Sequence, residues 1–230
     1  MTVAERFLAA VIDRSGDRAP TLELICQVCC DLLPITVASV VLMGTEGVEG
    51  ITGASDPLAA AIQNEEFTLG EGPATEVRRQ RGPVLVSDLG DALSDWPQFV
   101  PAVARLGVGA IYAIPLRIGA VDLGVLVLGG ARPRALAGQE LADSFLIGDL
   151  VSRLVLDLQA GVTSESLAWA LDATDSRTVV HQATGMIAAQ LNVGVAEALV
   201  ALRANAFATD RPIDQVATEV VAGRRRFEEL

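Results

Sequence analysis

Apart from one histidine, the side chains of this chain that can carry a positive charge are all arginines. The 230 residues include 17 basic residues and no lysine. A planar guanidinium donates paired hydrogen bonds to phosphate or carboxylate oxygens. The C-terminal part, residues 161–230, holds Arg177, Arg203, Arg211, Arg224, Arg225 and Arg226. Phosphate contact is therefore the first chemistry to consider in this part of the chain.

The charge balance limits where such contacts can occur. The formal net charge is −12, and the chain is acidic both before and after residue 160. A uniformly negative field repels nucleic acids and anionic membranes alike. Any nucleic-acid contact must therefore come from a local patch, and binding should be weak or strongly dependent on salt.

Other chemistry has less support in the sequence. It contains no nucleophile–base–acid set, no phosphate-binding loop and no cluster of metal ligands, so we expect no enzymatic activity. The three cysteines, Cys26, Cys29 and Cys30, lie together in "CQVCC", and structural clusters usually need four thiolates. We expect buried helix residues that act as small apolar groups. A redox or metal role is the alternative.

Residues 18–160 have the pattern of an α+β domain, preceded by a helix within residues 1–17. Helical spacing runs from Leu22 to Leu33, and Asp56 is placed to cap a second helix. Strand patterns occur in "ITVASVVLM", "VEGITGAS" and "GPVLVSDL", and twice in residues 108–130. A long helix follows over 136–159. This order predicts an antiparallel sheet with helices on one face.

Residues 161–171 are predicted to form a linker, and 172–230 an all-α three-helix bundle. Asn192 can end the first helix in the left-handed conformation, Gly194 can cap the next, and Glu197 suits its first turn. The apolar residues of the second helix are Val195, Leu199, Leu202 and Ala206. Those of the third are Ile213, Val216, Ala217 and Val220. We expect Phe207 in the core.

The bundle segment "QATGMIAAQLNV…AEALVALRANAFATDRPIDQVATEVV" resembles the ANTAR domain, a bacterial RNA-binding antitermination module. The likeness covers about residues 172–227. It lies in a Gln-Ala-x-Gly start, Leu-Arg-x-x-Ala in the second helix, an arginine before the third helix and Val-Ala within it. Thr184, Asn192 and Gly194 stand where the family often has lysine, glycine and Ser or Thr. The first change removes a candidate phosphate contact.

Residues 18–160 are similar to a GAF domain, a sensor fold, through "FTLGEGPATEVRRQRGPVLVSDL" and "WPQF". The resemblance implies a ligand pocket between the sheet and the "LGEGP" and "WPQF" segments, with Trp96, Phe99 and Tyr112 as its walls. Alternatively these aromatic residues fill the core. No cofactor is identifiable. The absence of histidine from residues 1–160 excludes histidine-ligated haem, and the absence of lysine argues against cyclic nucleotides. An unknown small molecule remains a candidate.

The resemblance implies that a dimer binds paired RNA hairpins and lets transcription continue, under the control of the sensor domain. RNA would then be contacted by Arg203, Arg211, Arg224, Arg225 and Arg226, with Ala183 and Gly185 allowing close approach. The alternative role for Arg203 and Arg211 is a helix cap or a salt bridge. The terminal arginines could instead lie in solvent at the helix end, where the helix dipole favours positive charge. For Ala183 and Gly185 the alternative is tight helix packing.

The apolar stripes of helix 136–159 and of the first bundle helix favour a homodimer. An alternative function is a ligand-sensing scaffold, or a DNA-binding regulator whose bundle mainly dimerises. DNA binding is disfavoured because the third helix has its arginines only at its end. The N-terminus lacks a signal-peptide pattern and no apolar run is long enough to span a membrane, so we expect a cytoplasmic protein that does not bind membranes.

Overall fold

A computed structural model of the chain describes residues 2–16, 18–42, 52–119, 121–160 and 175–227. It contains two compact units, an N-terminal one with a sheet and a C-terminal one made of helices. The predicted linker 161–171 lies outside the described residues. No helix in the described ranges is long and apolar enough to cross a membrane.

Two helices open the chain, and a threonine caps each of them. In α1 (Val3–Ser15) the Thr2 hydroxyl accepts a hydrogen bond from the Glu5 amide, while the Glu5 carboxylate accepts one from the Thr2 amide. In α2 (Leu22–Leu32) the Thr21 hydroxyl accepts a backbone hydrogen bond from the first turn. These side chains bind amides that have no partner within the helix. The structure confirms both predicted helices.

Five strands form one antiparallel sheet in the order β2-β1-β5-β4-β3. The strands are β1 (Val37–Leu42), β2 (Thr52–Ala54), β3 (Val84–Val86), β4 (Ala110–Ile118) and β5 (Val121–Gly130). The hairpin of β4 and β5 is paired up to Ile118 and Val121. The α+β class and the antiparallel sheet are as the sequence predicts.

The described part of the N-terminal unit contains four further helices: α3 (Pro57–Leu69), α4 (Pro73–Gln80), α5 (Phe99–Arg105) and α6 (Gln139–Ala160), with a 3-10 turn at Leu89–Ala92. Asp56 caps α3 as predicted, since its carboxylate accepts a hydrogen bond from the Ala59 amide at 2.7 Å. The buried face of α6 includes Ile147 and Val151, as expected from its apolar spacing. Local sequence signals therefore located α3 and α6, whereas the sequence analysis did not predict α4 and α5.

Helices cover both faces of the sheet, which corrects the expectation of a single helical layer. Tyr112 and its alternate neighbours on β4 belong to one buried cluster with residues of α1, α2 and α6. Ile111 and Ala113, which lie between them, are also buried and point to the other face. There α4 contacts β4 and β5. The apolar runs of β4 and β5 reflect this burial on two sides.

The C-terminal unit is a bundle of α7 (Asp175–Leu191), α8 (Val195–Ala208) and α9 (Ile213–Val221). Every pair of these helices is in contact. Asn192 adopts a left-handed conformation with φ of 51°, and the Gly194 amide donates to the Glu197 carboxylate at 3.3 Å, as predicted. The predicted apolar residues of α9 are all buried.

In α8 the buried stripe is rotated from the predicted one. Ala198, Leu202 and Ala206 are fully buried, whereas Leu199 is only half-buried. Alanine at position 198 allows close contact between helices, so the small residue rather than the larger leucine faces the core.

Candidate nucleic-acid interface

The three consecutive arginines lie just beyond the end of α9. The helix closes at Gly223, whose φ of 70° favours glycine, and the amides of Arg224 and Arg225 both donate to the Glu219 carbonyl. We expected these arginines within the last turn, but the glycine ends the helix before them. Arg224 and Arg226 are exposed, whereas Arg225 is half-buried.

Glu219 is the centre of a polar network that joins α8, α9 and the C-terminal segment. Its carboxylate accepts two hydrogen bonds from Arg211, at 2.9 and 3.1 Å, and one from Arg225 at 3.0 Å. Arg225 also donates to the Asn205 side chain on α8. The structure thus brings Arg211 and Arg225 together, and it shows the salt bridge that was the alternative role for Arg211.

This network alters the ionisation of its members. The hydrogen bonds from Arg211 lower the pKa of Glu219, against the smaller opposing effect of desolvation. The same hydrogen bonds raise the pKa of Arg211. Both groups are therefore charged over the whole neutral range. One carboxylate holds two guanidiniums, so the cluster of Arg211, Glu219 and Arg225 carries a net positive charge.

Phe207 is exposed, which corrects the expectation that it belongs to the core. Its side chain is 60% exposed, and Val200, seven residues earlier on the same face of α8, is 62% exposed. This face lies opposite the buried stripe of Ala198, Leu202 and Ala206. Because Asn205 binds Arg225, the arginine segment lies against the same end of α8 as Phe207.

The remaining predicted contact residues lie at different depths. Arg203 is half-buried on α8. Ala183 is fully buried, which removes it as a surface for RNA and shows helix packing instead. Gly185 is exposed, and a Cβ there would meet no atom within 4 Å, so tight packing does not explain this glycine. The side chain of Arg177 lies outside the described residues.

The position of Thr184 differs from the one that the sequence analysis assumed. Its side chain is buried, and its hydroxyl donates to the Val180 carbonyl at 2.7 Å. The threonine therefore satisfies its own polar group inside the helix. It does not occupy a surface position from which a phosphate contact has been lost.

In the N-terminal unit, the three candidate pocket residues do not share one site. Trp96 and Phe99 form an edge-to-face pair with ring centroids 5.8 Å apart. Tyr112 instead belongs to the cluster with α1, α2 and α6, where its hydroxyl donates to the Arg134 carbonyl. All three are buried, so they fill the core as in the alternative interpretation. The alternation of side chains along β4 places Tyr112 away from the other two.

The "LGEGP" and "WPQF" segments are joined directly. The Glu71 carboxylate accepts hydrogen bonds from the amides of Gln98 and Phe99, at 2.6 and 2.9 Å, and so caps α5. The buried Glu66 accepts from the Thr75 amide in the first turn of α4. Sequence reasoning missed both carboxylates, because their partners lie 9 to 28 residues away.

Gln63, on α3, is a polar residue that the sequence analysis did not identify. It is 5% exposed, and its Nε2 has no hydrogen-bond partner among the described residues. A buried donor without an acceptor costs about 1–3 kcal/mol. The structure thus leaves the Gln63 amide as a buried donor without an acceptor among the described residues.

The three cysteines are placed as predicted. Cys26 and Cys29 are buried on α2, and Cys30 is half-buried. Burial raises the pKa of each thiol, most strongly for the first two. The reactive thiolate form is therefore disfavoured at neutral pH.

Comparison with known proteins defines the two units. The family model of the GAF domain matches residues 17–145, and that of the ANTAR domain matches residues 170–221. None of the curated proteins matches the chain.

Solved structures resemble the N-terminal unit. A GAF domain from an Acinetobacter phosphoenolpyruvate-protein phosphotransferase is 14% identical with a TM-score of 0.50, over 69% of this chain and 93% of that one. The corresponding Coxiella burnetii domain is 19% identical, with a TM-score of 0.47 over 68% and 96%. A free methionine-R-sulfoxide reductase from Neisseria meningitidis is 12% identical, with a TM-score of 0.45 over 70% and 95%. At these identities the likeness shows the fold alone.

The sheet and its helices, together with a family match over more than half of the chain, place this protein in the GAF domain family. Its helical bundle is an ANTAR domain, so the chain is a GAF–ANTAR protein. Both are sensory and regulatory domains rather than catalytic ones, and ANTAR domains belong to RNA-binding antitermination regulators.

Proposed function

We propose that this protein is a signal-responsive antitermination regulator, whose bundle binds paired RNA hairpins under the control of its GAF domain. The observation that supports this most is the end of the bundle, where exposed arginines and an exposed aromatic ring lie on neighbouring elements. Arg224 and Arg226 are exposed beside the anchored Arg225, and Phe207 is exposed on α8.

The arginines have different tasks in this proposal. Arg225 and Arg211 hold the C-terminal segment against α8 and α9 through Glu219. Arg224 and Arg226, on either side of the anchor, bind RNA phosphates. A fixed backbone reduces the entropy lost when the two guanidiniums bind. The anchored pair adds positive charge close to the phosphates.

Phe207 supplies an apolar surface on which an unstacked loop base can lie. Sequence-specific RNA recognition commonly uses splayed bases stacked on aromatic side chains. An exposed phenylalanine also leaves apolar area in contact with water, and stacking on a base would remove it. Gly185 complements this arrangement on α7, because its open surface lets an RNA backbone approach closely.

Two copies of the bundle would bind the two hairpins of one RNA. A single bundle offers few cations, and the acidic remainder of the chain opposes RNA binding. Two linked contacts raise the effective affinity without new contacts within either site. Control by the GAF domain would act on dimer formation, and Gln63 offers a buried amide to which a small molecule with an acceptor oxygen could bind.

The proposal is tested by gel-shift binding of the full-length protein to an RNA with two tandem hairpins. A single hairpin and a DNA duplex of the same length serve as controls. We expect the protein to bind the tandem RNA at least about ten-fold more tightly than either control. In transcription assays, we expect the protein to increase transcription past a terminator that overlaps the hairpins. Equal affinity for DNA, or no RNA binding by a dimeric protein, would contradict the proposal and favour a scaffold.

A further inference from the structure

The outer face of α6 presents an unusual row of four exposed residues. Leu146, Asp149, Arg153 and Leu156 are separated by three, four and three positions, so they lie along one side of the helix. Both leucines are exposed, to 40% and 41%. The opposite side of α6, which includes Ile147 and Val151, is buried against the rest of the GAF domain. The row is therefore not part of the domain core.

The four residues have a pseudo-twofold arrangement. Leu146 and Leu156 lie five residues before and after position 151, and Asp149 and Arg153 lie two residues before and after it. If two copies of α6 cross in opposite directions at this position, each leucine meets the other leucine of the partner. Each Asp149 then meets the partner's Arg153. The surface is complementary to itself, as an isologous twofold interface requires.

A parallel arrangement of the same row is disfavoured by its charges. It would place Asp149 against the partner's Asp149 and Arg153 against the partner's Arg153, and such like-charge contacts weaken association. Neither side chain takes part in an ion pair within the described part of the chain. Both charges are therefore available to a partner chain.

We propose that α6 is a homodimer interface in which two copies pack antiparallel about position 151, joined by reciprocal Leu146–Leu156 and Asp149–Arg153 contacts. The inference rests on the dimerisation included in the proposed function and specifies its residues and direction. Spacings of three and four residues alternate along the row, as they do where two packed helices meet. RNA binding does not enter the argument, so the interface can be tested without RNA.

The first test reverses the charges in the full-length protein and measures the dimer dissociation constant by analytical ultracentrifugation. Asp149→Arg or Arg153→Asp alone should raise this constant about ten-fold or more, because each places like charges together twice. The double substitution exchanges the charges and should restore dimerisation. Asp91→Arg and Arg105→Asp, exposed on other elements, should leave it unchanged. Unchanged dimerisation in both single variants, or a monomeric wild type, would overturn the proposal.

Disulfide formation tests the direction of packing. The variants are made in a Cys30→Ser background. Two copies of the Leu146→Cys protein should not form a disulfide with each other. In the antiparallel pair their introduced cysteines lie ten helical residues apart along the interface, which is about 15 Å. Mixing this protein with Leu156→Cys protein should give a disulfide-linked dimer. Self-linkage of the Leu146→Cys protein would instead show parallel packing. Loss of RNA binding with these results intact would contradict the proposed function and leave the interface standing.

Discussion

At the scale of single residues, the arginines of the ANTAR domain differ in their partners. Arg211 and Arg225 share the Glu219 carboxylate, whereas Arg224 and Arg226 are exposed. The sequence places all four near the third helix but contains no signal for which of them are paired. Glu219 lies six and eight residues from its partners, across a turn and beyond a helix end, where helical spacing rules do not apply.

Replacement of Glu219 by glutamine should destabilise the bundle in a pH-dependent manner. Because hydrogen bonds from Arg211 lower the pKa of Glu219, its carboxylate stabilises the fold above the ordinary carboxyl pKa. That contribution is lost as the pH falls through the lowered pKa. Calorimetric melting should show a lower Tm for Glu219→Gln at pH 7 and a shrinking difference from wild type at acid pH. A difference that is constant down to pH 2 would contradict this role.

Phe207→Ala should weaken RNA binding without destabilising the fold. Stacking of a base on an aromatic side chain is worth about 1–3 kcal/mol, which corresponds to a roughly five- to 150-fold change in affinity. Phe207→Tyr should retain most of the affinity. Val200→Ala, on the same exposed face, removes apolar area but no ring and is the matched control. Equal losses in the Val200 and Phe207 alanine variants would argue against stacking.

Gln63→Met should stabilise the ligand-free protein. The substitution keeps a similar volume and removes a buried amide donor that has no acceptor among the described residues. We expect the free energy of unfolding to rise by about 1 kcal/mol, measured by denaturant titration. A decrease would mean that the amide is already satisfied within the protein.

At the scale of helices and strands, the sequence predicted the features that depend on neighbouring residues in the chain. Asp56 accepts a hydrogen bond from a backbone amide three residues away, and Asn192 itself adopts a left-handed conformation, so the helix ends that they define were visible in the sequence. The two helical layers on the sheet depend on contacts between segments far apart in the chain, so they were not visible in the sequence. Glu71 caps α5 across 27 residues, which no local pattern reveals. Phe207 was misplaced because the alanine-rich α8 has no clear apolar face.

Gly185 permits a test of the surface of α7. A helical glycine without packing neighbours lowers stability, so Gly185→Ala should raise the free energy of unfolding of the bundle by about 1 kcal/mol. Gly185→Leu should fold as well as the alanine variant but bind RNA more weakly, because its side chain blocks the close approach. If Gly185→Leu binds RNA as tightly as wild type, α7 does not face the RNA.

At the scale of the whole molecule, the proposed function requires an acidic chain to bind a polyanion. The net charge of −12 opposes association, so affinity depends on a few cations held in fixed positions. The sequence indicated the family and the need for a local patch. It did not indicate which arginines the fold leaves exposed, because that depends on how α9 ends at Gly223 and on the partners of Glu219.

The most direct test of the account is the salt dependence of RNA binding by the full-length protein. Tandem-hairpin RNA would be titrated at several salt concentrations with wild type and with the double variant Arg224→Ala and Arg226→Ala. A second double variant, Arg105→Ala and Arg132→Ala, removes the same charge from exposed positions in the GAF domain.

Each phosphate contact contributes about 0.7–0.9 to the slope of log affinity against log salt. The Arg224 and Arg226 variant should therefore lose affinity and show a slope smaller by about 1.4–1.8, while the GAF-domain variant keeps the wild-type slope. Identical slopes for both double variants and wild type would contradict the claim that the end of the ANTAR bundle binds RNA.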